Sequence, residues 1–549
     1  MMKVLQIDPR DNLLVALTDL KAGDSVEHAG RSYTLTEDIN AKHKFAMRDF
    51  AEGELIYLYG VLVGKTTQPV AKGALLHTHN LLHAAEDFGL DHYQANSFEW
   101  TTKPDISQFE GRTFDGFPRE DGRVGTANYW VVIPMVFCEN RNLKIMEEAF
   151  AKSLGYAQPS QYNDFAQRLT DAHKGGDSLD EVTFLPTDTN KEDRLFQNVD
   201  GVKFLRHSMG CGSDRRDSDS LCALLAGYAA HPNVAGVTVL SLGCQHAQIS
   251  IMQDFIKKNC PEFNRPFLTF EQQQYPSEQK LLEDAIRATF KGLTEANKLT
   301  RQPAPLSKLI VGMECGASDG FSGISANPAI GHVTDVLAAL GGSPILSEFP
   351  ELCGVEADLI RRCDTKPLAE RFIQIMRAYN AAANAVGSDF STNPSPGNIK
   401  DGLITDAIKS AGAAKKGGTA PVADVKDYTE QVTAPGLTLL CTPGNDVEST
   451  TAMAGSGANV MLFSTGLGTP TGNPVSPVIK VATNSTIAEN LSDIIDFDAG
   501  CVIKGEKTIA EAGNDLLELI IETASGRYTT KSVALGQDDF IPWRRGVSL

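Results

Sequence analysis

Five cysteines in this chain stand where an apolar run gives way to a loop bearing glycine or asparagine: Cys138, Cys211, Cys244, Cys315 and Cys441. In open α/β sheets, ligands bind in the crevice outside the carboxyl ends of the strands. Thiols at that edge can therefore converge on one site. The competing reading is packing, because cysteine behaves as a small hydrophobe and is often buried. The polar, flexible segments GCGSDRRDSD, GCQHAQIS and ECGASDGFSG favour function for Cys211, Cys244 and Cys315. None of the spacings is a CxxC zinc pattern. Three thiolates gathered from distant loops suit iron instead. An iron–sulfur cluster normally takes four cysteines, so three leave one iron open to a hydroxyl and a carboxylate. That is the device needed to dehydrate a hydroxy acid, where the proton beside the carboxylate is weakly acidic and hydroxide leaves poorly.

Histidines offer proton transfer. In HTHN, an extended backbone points His77 and His79 to one face, where they can share a metal or a carboxylate. His207 and His246 lie close in sequence to Cys211 and Cys244. His207 is a candidate proton carrier, while His246 reads as a packing residue. The loops TPGND (Thr442 to Asp446) and STGLGTPTGNP (Ser464 to Pro474) follow apolar strands and offer amides and hydroxyls to a carboxylate or a sugar. Neither is a P-loop, and no convincing GxGxxG accompanies them, so nucleotide cofactors are not indicated.

These residues need a scaffold, and 549 residues exceed what one core supports. Short strand-like runs such as NLLVALTDL and ELIYLYGVLVGKT make residues 1–96 a β-rich module. Residues 97–122 are polar and Gly/Pro-punctuated and read as a linker. From residue 123 to 395, strands such as YWVVIPMVFC, VAGVTVLSLGC and LSKLIVGMEC alternate with helical segments, which predicts an α/β domain with a largely parallel sheet. The Gly-, Pro- and Ala-rich stretch from about residue 391 to 423 marks a second boundary or a long functional loop, and taken as a boundary it makes 396–549 a second α/β domain. A formal charge of −19 argues against a nucleic-acid partner. The N-terminus lacks a signal-peptide core, and no run approaches a membrane span. A cytoplasmic protein with reduced thiols is expected, with a small molecule as its partner and self-association into a homo-oligomer left open.

The ordered motifs HSMGCG, LSLGCQ, ECGASDGFSGISANPAIG, NPSPGN, KSAGAAKKGG, TPGND, STGLGTPTGNP and IKVATNS resemble those of the altronate/galactarate dehydratase family, relatives of sulfolactate sulfo-lyase. The segment HKFAMRDFAEGELIYLYG…LLHTHN resembles that family's N-terminal SAF domain. The likeness covers nearly the whole chain, and HTHN and FDAG at Phe497 are closer to the altronate branch. The resemblance implies dehydration of D-altronate to 2-dehydro-3-deoxy-D-gluconate with iron, as Fe2+ or a cluster. It carries His77, His79 and His207 over as catalytic, and Cys211, Cys244 and Cys315 as metal ligands. Asp319, Asn327, Asn445, Asp446, Thr465, Thr469 and Lys480 carry over as substrate contacts.

The chain also departs from the family pattern. An arginine usual in a GxRN strand entry is Ala127, the arginine of STGRGT is Leu467, and the glutamate of GCE is Gln245. Arginine is the usual bidentate partner of a carboxylate. The alternatives are therefore the same elimination on galactarate or sulfolactate, or a non-catalytic sugar-acid-binding relative.

Overall fold

The structure is a computed structural model that describes residues 3–95, 98–156, 161–185 and 194–548; the expected boundary at 96 and 97 lies outside them. The N-terminal module comprises β1 (Val4–Leu5), β2 (Leu13–Ala16), β3 (Ser25–His28), β4 (Arg31–Thr34), β5 (Lys44–Ala46), β6 (Leu55–Leu58), β7 (Val61–Thr66), β8 (Leu75–Leu76) and β9 (Leu81–Leu82). They form a four-stranded sheet ordered β1-β2-β5-β8, a three-stranded sheet β6-β7-β9 and the ribbon β3-β4. The module is docked against the body of the protein. Lys44 Nζ donates to the Gly402 carbonyl at 2.5 Å, and Thr405 Oγ1 donates to the Val63 carbonyl at 3.0 Å.

The stretch expected to be a linker instead contains structure. β10 (Thr113–Pro118) pairs antiparallel with β11 (Val124–Gly125) on one side and with β16 (Gln302–Pro305) on the other. Phe109, Phe114 and Phe117 bury their rings there. Polar and glycine residues between these aromatics hide a hairpin whose apolar pattern is too short to register as periodicity.

Between β11 and β16 the chain makes a four-stranded parallel sheet from β12 (Tyr129–Pro134), β13 (Gly201–Phe204), β14 (Val234–Ser241) and β15 (Phe267–Glu271), in the order β13-β12-β14-β15. Strands buried on both faces read as continuous apolar runs. Trp130 fills the layer between this sheet and the helix Glu278–Ala296, donating Nε1–H to Thr238 Oγ1 at 3.0 Å. A Cβ on Gly292 would stand 2.0 Å from the indole, so glycine is required there.

The remaining strands are β17 (Ile310–Cys315), β18 (Ser343–Leu346), β19 (Val422–Lys426), β20 (Leu437–Leu440), β21 (Val460–Thr465), β22 (Val478–Ala482) and β23 (Phe497–Asp498). They form one parallel sheet ordered β19-β20-β18-β17-β21-β22-β23. This corrects the expected boundary between 395 and 396, which would cut that sheet in two. β17 and β18 cannot bury both edges without β21 and β20, so strands from both sides of the Gly/Pro-rich stretch share a core. The true division falls near β16. No helix among the described residues is long and apolar enough to cross a membrane.

Candidate active site

The carboxyl ends of β17, β18 and β20 enclose a buried set of charged groups. Cys315 is the last residue of β17, and Glu348 follows β18 by two positions. Glu348 has φ 61° and ψ 57°, a left-handed conformation costly for a residue with a Cβ. Such strain gathers at functional positions. The turn after it brings Glu351 back to the same point. Cys315 Sγ lies 3.6 Å from Glu348 and 3.5 Å from Glu351. Lys416, in the segment after the helix Asp406–Ala413, places Nζ 2.7 Å from Cys315 Sγ and 2.6 Å from Glu348 Oε2. Lys409, on that helix, donates to Glu351 Oε1 at 2.6 Å and to Asn393 Oδ1 at 2.9 Å.

The electrostatics follow from burial and pairing. Burial and the Glu348 charge raise Glu314, the residue before Cys315, well above the usual carboxylate range. Burial and Glu348 likewise push the Cys315 thiol up. Burial opposes charge on Lys416, but Cys315 and Glu348 hold it protonated. Burial also opposes charge on Glu351, yet the Lys409 and Lys416 ammoniums keep its carboxyl below the ordinary value. Two ammoniums thus face two carboxylates. Asp446, half-buried at the start of the helix Asp446–Gly455, has its pKa raised to about 6 by burial and by Glu348 and Glu351. A Cβ on Gly316 would meet Asp446 Oδ2 at 2.1 Å, so only glycine admits that carboxylate beside β17. Gly444 and Asn445 are exposed and open the rim of the site.

A second edge carries thiols. Cys138, Cys211 and Cys244 follow β12, β13 and β14, three neighbouring strands, and all three are exposed and free. Their loops are tied together: Phe137 N–H donates to the Met209 carbonyl at 2.8 Å, and Met135 N–H to the Leu240 carbonyl at 2.8 Å. The C-terminal segment runs from this edge to the other. Gly546 N–H donates to Asp217 Oδ1 at 3.1 Å, while Arg545 grips Asp427 and approaches Cys441 Sγ at 3.9 Å.

The predicted residues separate into groups. Cys315 ends a strand of the seven-stranded sheet, is 3% exposed and has Lys416 on its sulfur, while Cys211 and Cys244 follow strands of the four-stranded sheet. Among the described residues, no set of ligand atoms within 4.8 Å joins the three. The same holds for Cys138, Cys211 and Cys244. His207 is buried, pairs Nε2 with the Pro134 carbonyl at 2.9 Å and accepts from Met209 N–H at Nδ1. Burial drives its pKa to about 4. In this structure it is a neutral brace for the thiol-bearing loops. The HTHN segment is a turn rather than the expected extended piece, with Asn80 N–H on the His77 carbonyl at 3.0 Å, and the rings of His43, His77 and His79 stack in sequence.

Asp319 is buried and ion-paired with Lys42 of the N-terminal module at 3.0 Å, a contact that docks that module. Asn327 is likewise spent internally, accepting from Ser464 Oγ at 2.6 Å and donating to the Gly412 carbonyl at 2.9 Å. Thr465 accepts from Gly468 N–H at 3.0 Å, and Thr469 pairs with Thr471 at 3.0 Å, which shapes the STGLGT loop from within. Lys480 is buried, donates to the Thr471 carbonyl, and has its pKa lowered to about 8 by burial. Asn445 and Asp446 alone of the substrate set lie at the open rim. Sequence reasoning missed Glu348, Glu351, Lys409 and Lys416. The available signal was position, since both acids directly follow a buried strand and both lysines flank the glycines of KSAGAAKKGG.

Parallel sheets whose strand ends hold acids, lysines and thiols define an α/β lyase-type site. The chain belongs to the D-galactarate/altronate dehydratase family, a family of carbon–oxygen lyases: residues 2–84 match its altronate/galactarate dehydratase SAF domain, 116–297 the D-galactarate dehydratase/altronate hydrolase second domain, and 306–548 the D-galactarate/altronate dehydratase C-terminal domain. It is 32% identical over 530 residues to an altronate dehydratase of Bacillus subtilis (strain 168), covering 96% of each chain. It is 32% identical over 536 residues to an altronate dehydratase of Escherichia coli (strain K12), again covering 96% of each. With the L-threo-forming galactarate dehydratase of the same E. coli strain it shares 29% over 541 residues, covering 96% of this chain and 94% of that one.

Proposed function

We propose that this chain dehydrates a sugar acid, D-altronate, to 2-dehydro-3-deoxy-D-gluconate in the cytoplasm, with iron. The observation that carries the reading is the Lys409–Glu351 and Lys416–Glu348 array beside Asp446, in a chain of this family. Removal of the proton next to a carboxylate builds negative charge on that carboxylate. Preorganised ammoniums in a water-poor site stabilise such charge. Lys409 and Lys416 occupy that role, and Glu351 and Glu348 hold them in place. Asp446, titrating near neutrality and open to the rim, moves the proton at its carboxylate oxygen.

The donor sets differ in their fit to iron. Around Cys315 the Lys416 ammonium already takes the place of a cation. Cys138, Cys211 and Cys244 are exposed, unpaired and on one edge, which fits thiolate ligation of a cluster with an open position. Iron there would supply a Lewis acid for the departing hydroxyl.

The test is turnover by protein prepared without oxygen and supplied with ferrous iron. Formation of the 2-oxo acid from altronate, faster than from galactarate or sulfolactate, is the expected result. Turnover of none of the three would overturn the proposal.

A further inference from the structure

A different cluster lies where the N-terminal module meets the body. His83, just past β9, comes within reach of Cys353, two residues after Glu351, and of Asp406, the first residue of the helix Asp406–Ala413. One ligand atom from each lies within 4.8 Å of the others. The three residues are distant in sequence and come from separate elements. Asp406 is 2% exposed, and its Oδ2 is buried with no hydrogen-bond partner from oxygen or nitrogen. The Cys353 thiol lies against that carboxyl, and His83 Nδ1 receives only a long contact, 3.4 Å, from Ala407 N–H. Burial disfavours the imidazolium at His83, which leaves the neutral ring a ligand needs. Cys353 also borders a cavity of about 460 Å³ lined in part by Glu356, Met376, Arg377 and Phe390.

We infer that His83, Cys353 and Asp406 form a binding site for one divalent cation of the zinc type, separate from the strand-end thiols, that clips the N-terminal module to the catalytic body. One imidazole, one thiolate and one carboxylate are a donor set zinc accepts, with three protein ligands leaving a fourth position open. Binding releases the thiol proton of Cys353 and the proton that burial holds on Asp406, so that a thiolate and a carboxylate ligate the ion. Cys353 and Asp406 stand one turn or less from Glu351 and Lys409. A clip here therefore fixes both members of that ion pair.

Cobalt(II) tests the site spectroscopically, through its sulfur-to-metal charge-transfer band. The full chain is reduced, stripped of metal and titrated with cobalt in a Cys138→Ser/Cys211→Ser/Cys244→Ser background, which removes the three exposed thiols. One equivalent should bind with the charge-transfer band present. Adding Cys353→Ser should abolish the band, and Asp406→Asn or His83→Gln should weaken binding by roughly tenfold or more. Absence of the band in the triple variant, or its persistence in Cys353→Ser, overturns the site. Should the triple variant not fold, zinc stoichiometry of the otherwise unaltered chain is compared with that of Cys353→Ser. A difference of one ion supports the inference, and equal stoichiometry overturns it.

Discussion

Lys416 and Glu348 form an ion pair 2.6 Å long with both side chains 1% exposed, and the same ammonium caps Cys315. Removing one member of such a pair leaves a buried charge uncompensated, a larger loss than the net worth of the pair. Lys416→Met is expected to destabilise the protein by about 3–5 kcal/mol, read from the midpoint of urea unfolding. A loss within the scatter of surface substitutions would show that the pair is not held dry.

The proton-transfer role of Asp446 predicts a pH dependence. Its pKa is raised to about 6 by burial and by Glu348 and Glu351. The base form exists above that value, so kcat should rise with pH through about 6 and fall about tenfold per unit below it. Asp446→Asn should lower kcat by roughly 10²–10⁴-fold and abolish that acid limb. Unaltered kcat in the variant would remove Asp446 from the chemistry.

Gly316 and Asp446 are interlocked. A Cβ at Gly316 would stand 2.1 Å from Asp446 Oδ2, and the phenyl ring of Phe463 closes the other side at 2.8 Å. Gly316→Ala should displace the Asp446 carboxylate and lower kcat while KM changes less. Steady-state kinetics with full kcat would contradict the close approach.

Iron content separates the two thiol environments. Cys211→Ser and Cys244→Ser should each lose iron and its visible absorption, whereas Cys315→Ser should retain it, because Cys315 is sealed beneath Lys416. Metal analysis of anaerobically prepared variants decides. Loss of iron in Cys315→Ser alone would reverse the assignment.

Docking of the N-terminal module depends on Lys42, whose ammonium sits 3.0 Å from fully buried Asp319 and 3.2 Å from Asp401. Lys42→Met should cost about 3 kcal/mol by stranding Asp319 and should make the module the first part cut in limited proteolysis. Coincident unfolding of module and body at the parent temperature would argue against this contact as the clasp.

The strands were legible because each is a near-continuous apolar run buried on both faces, as in YWVVIP and VMLFST. The boundary near residue 395 was misleading for the same reason that parallel sheets are hard to order from sequence. β18 finds its partner β20 across roughly ninety residues, and nothing local records the pairing. Cys315 announced itself at a strand end, but its true neighbours did not. Lys416 lies in AAKKGGT, which reads as a solvated turn, yet it is 1% exposed because Glu348 and Cys315 receive it. The contacts of His207 were equally invisible in the sequence. Its neighbourhood to Cys211 in sequence suggested chemistry, whereas two backbone contacts consume both ring nitrogens.

The antiparallel pairing of β10 with β16 means that the chain enters and leaves the thiol-bearing unit through the same narrow doorway. Such a unit has its two ends side by side, so its loops can lengthen, shorten or be exchanged while the seven-stranded sheet keeps its register. Sequence change can then accumulate in the loops of that unit while the lysine–glutamate ion pairs of the seven-stranded sheet stay as they are.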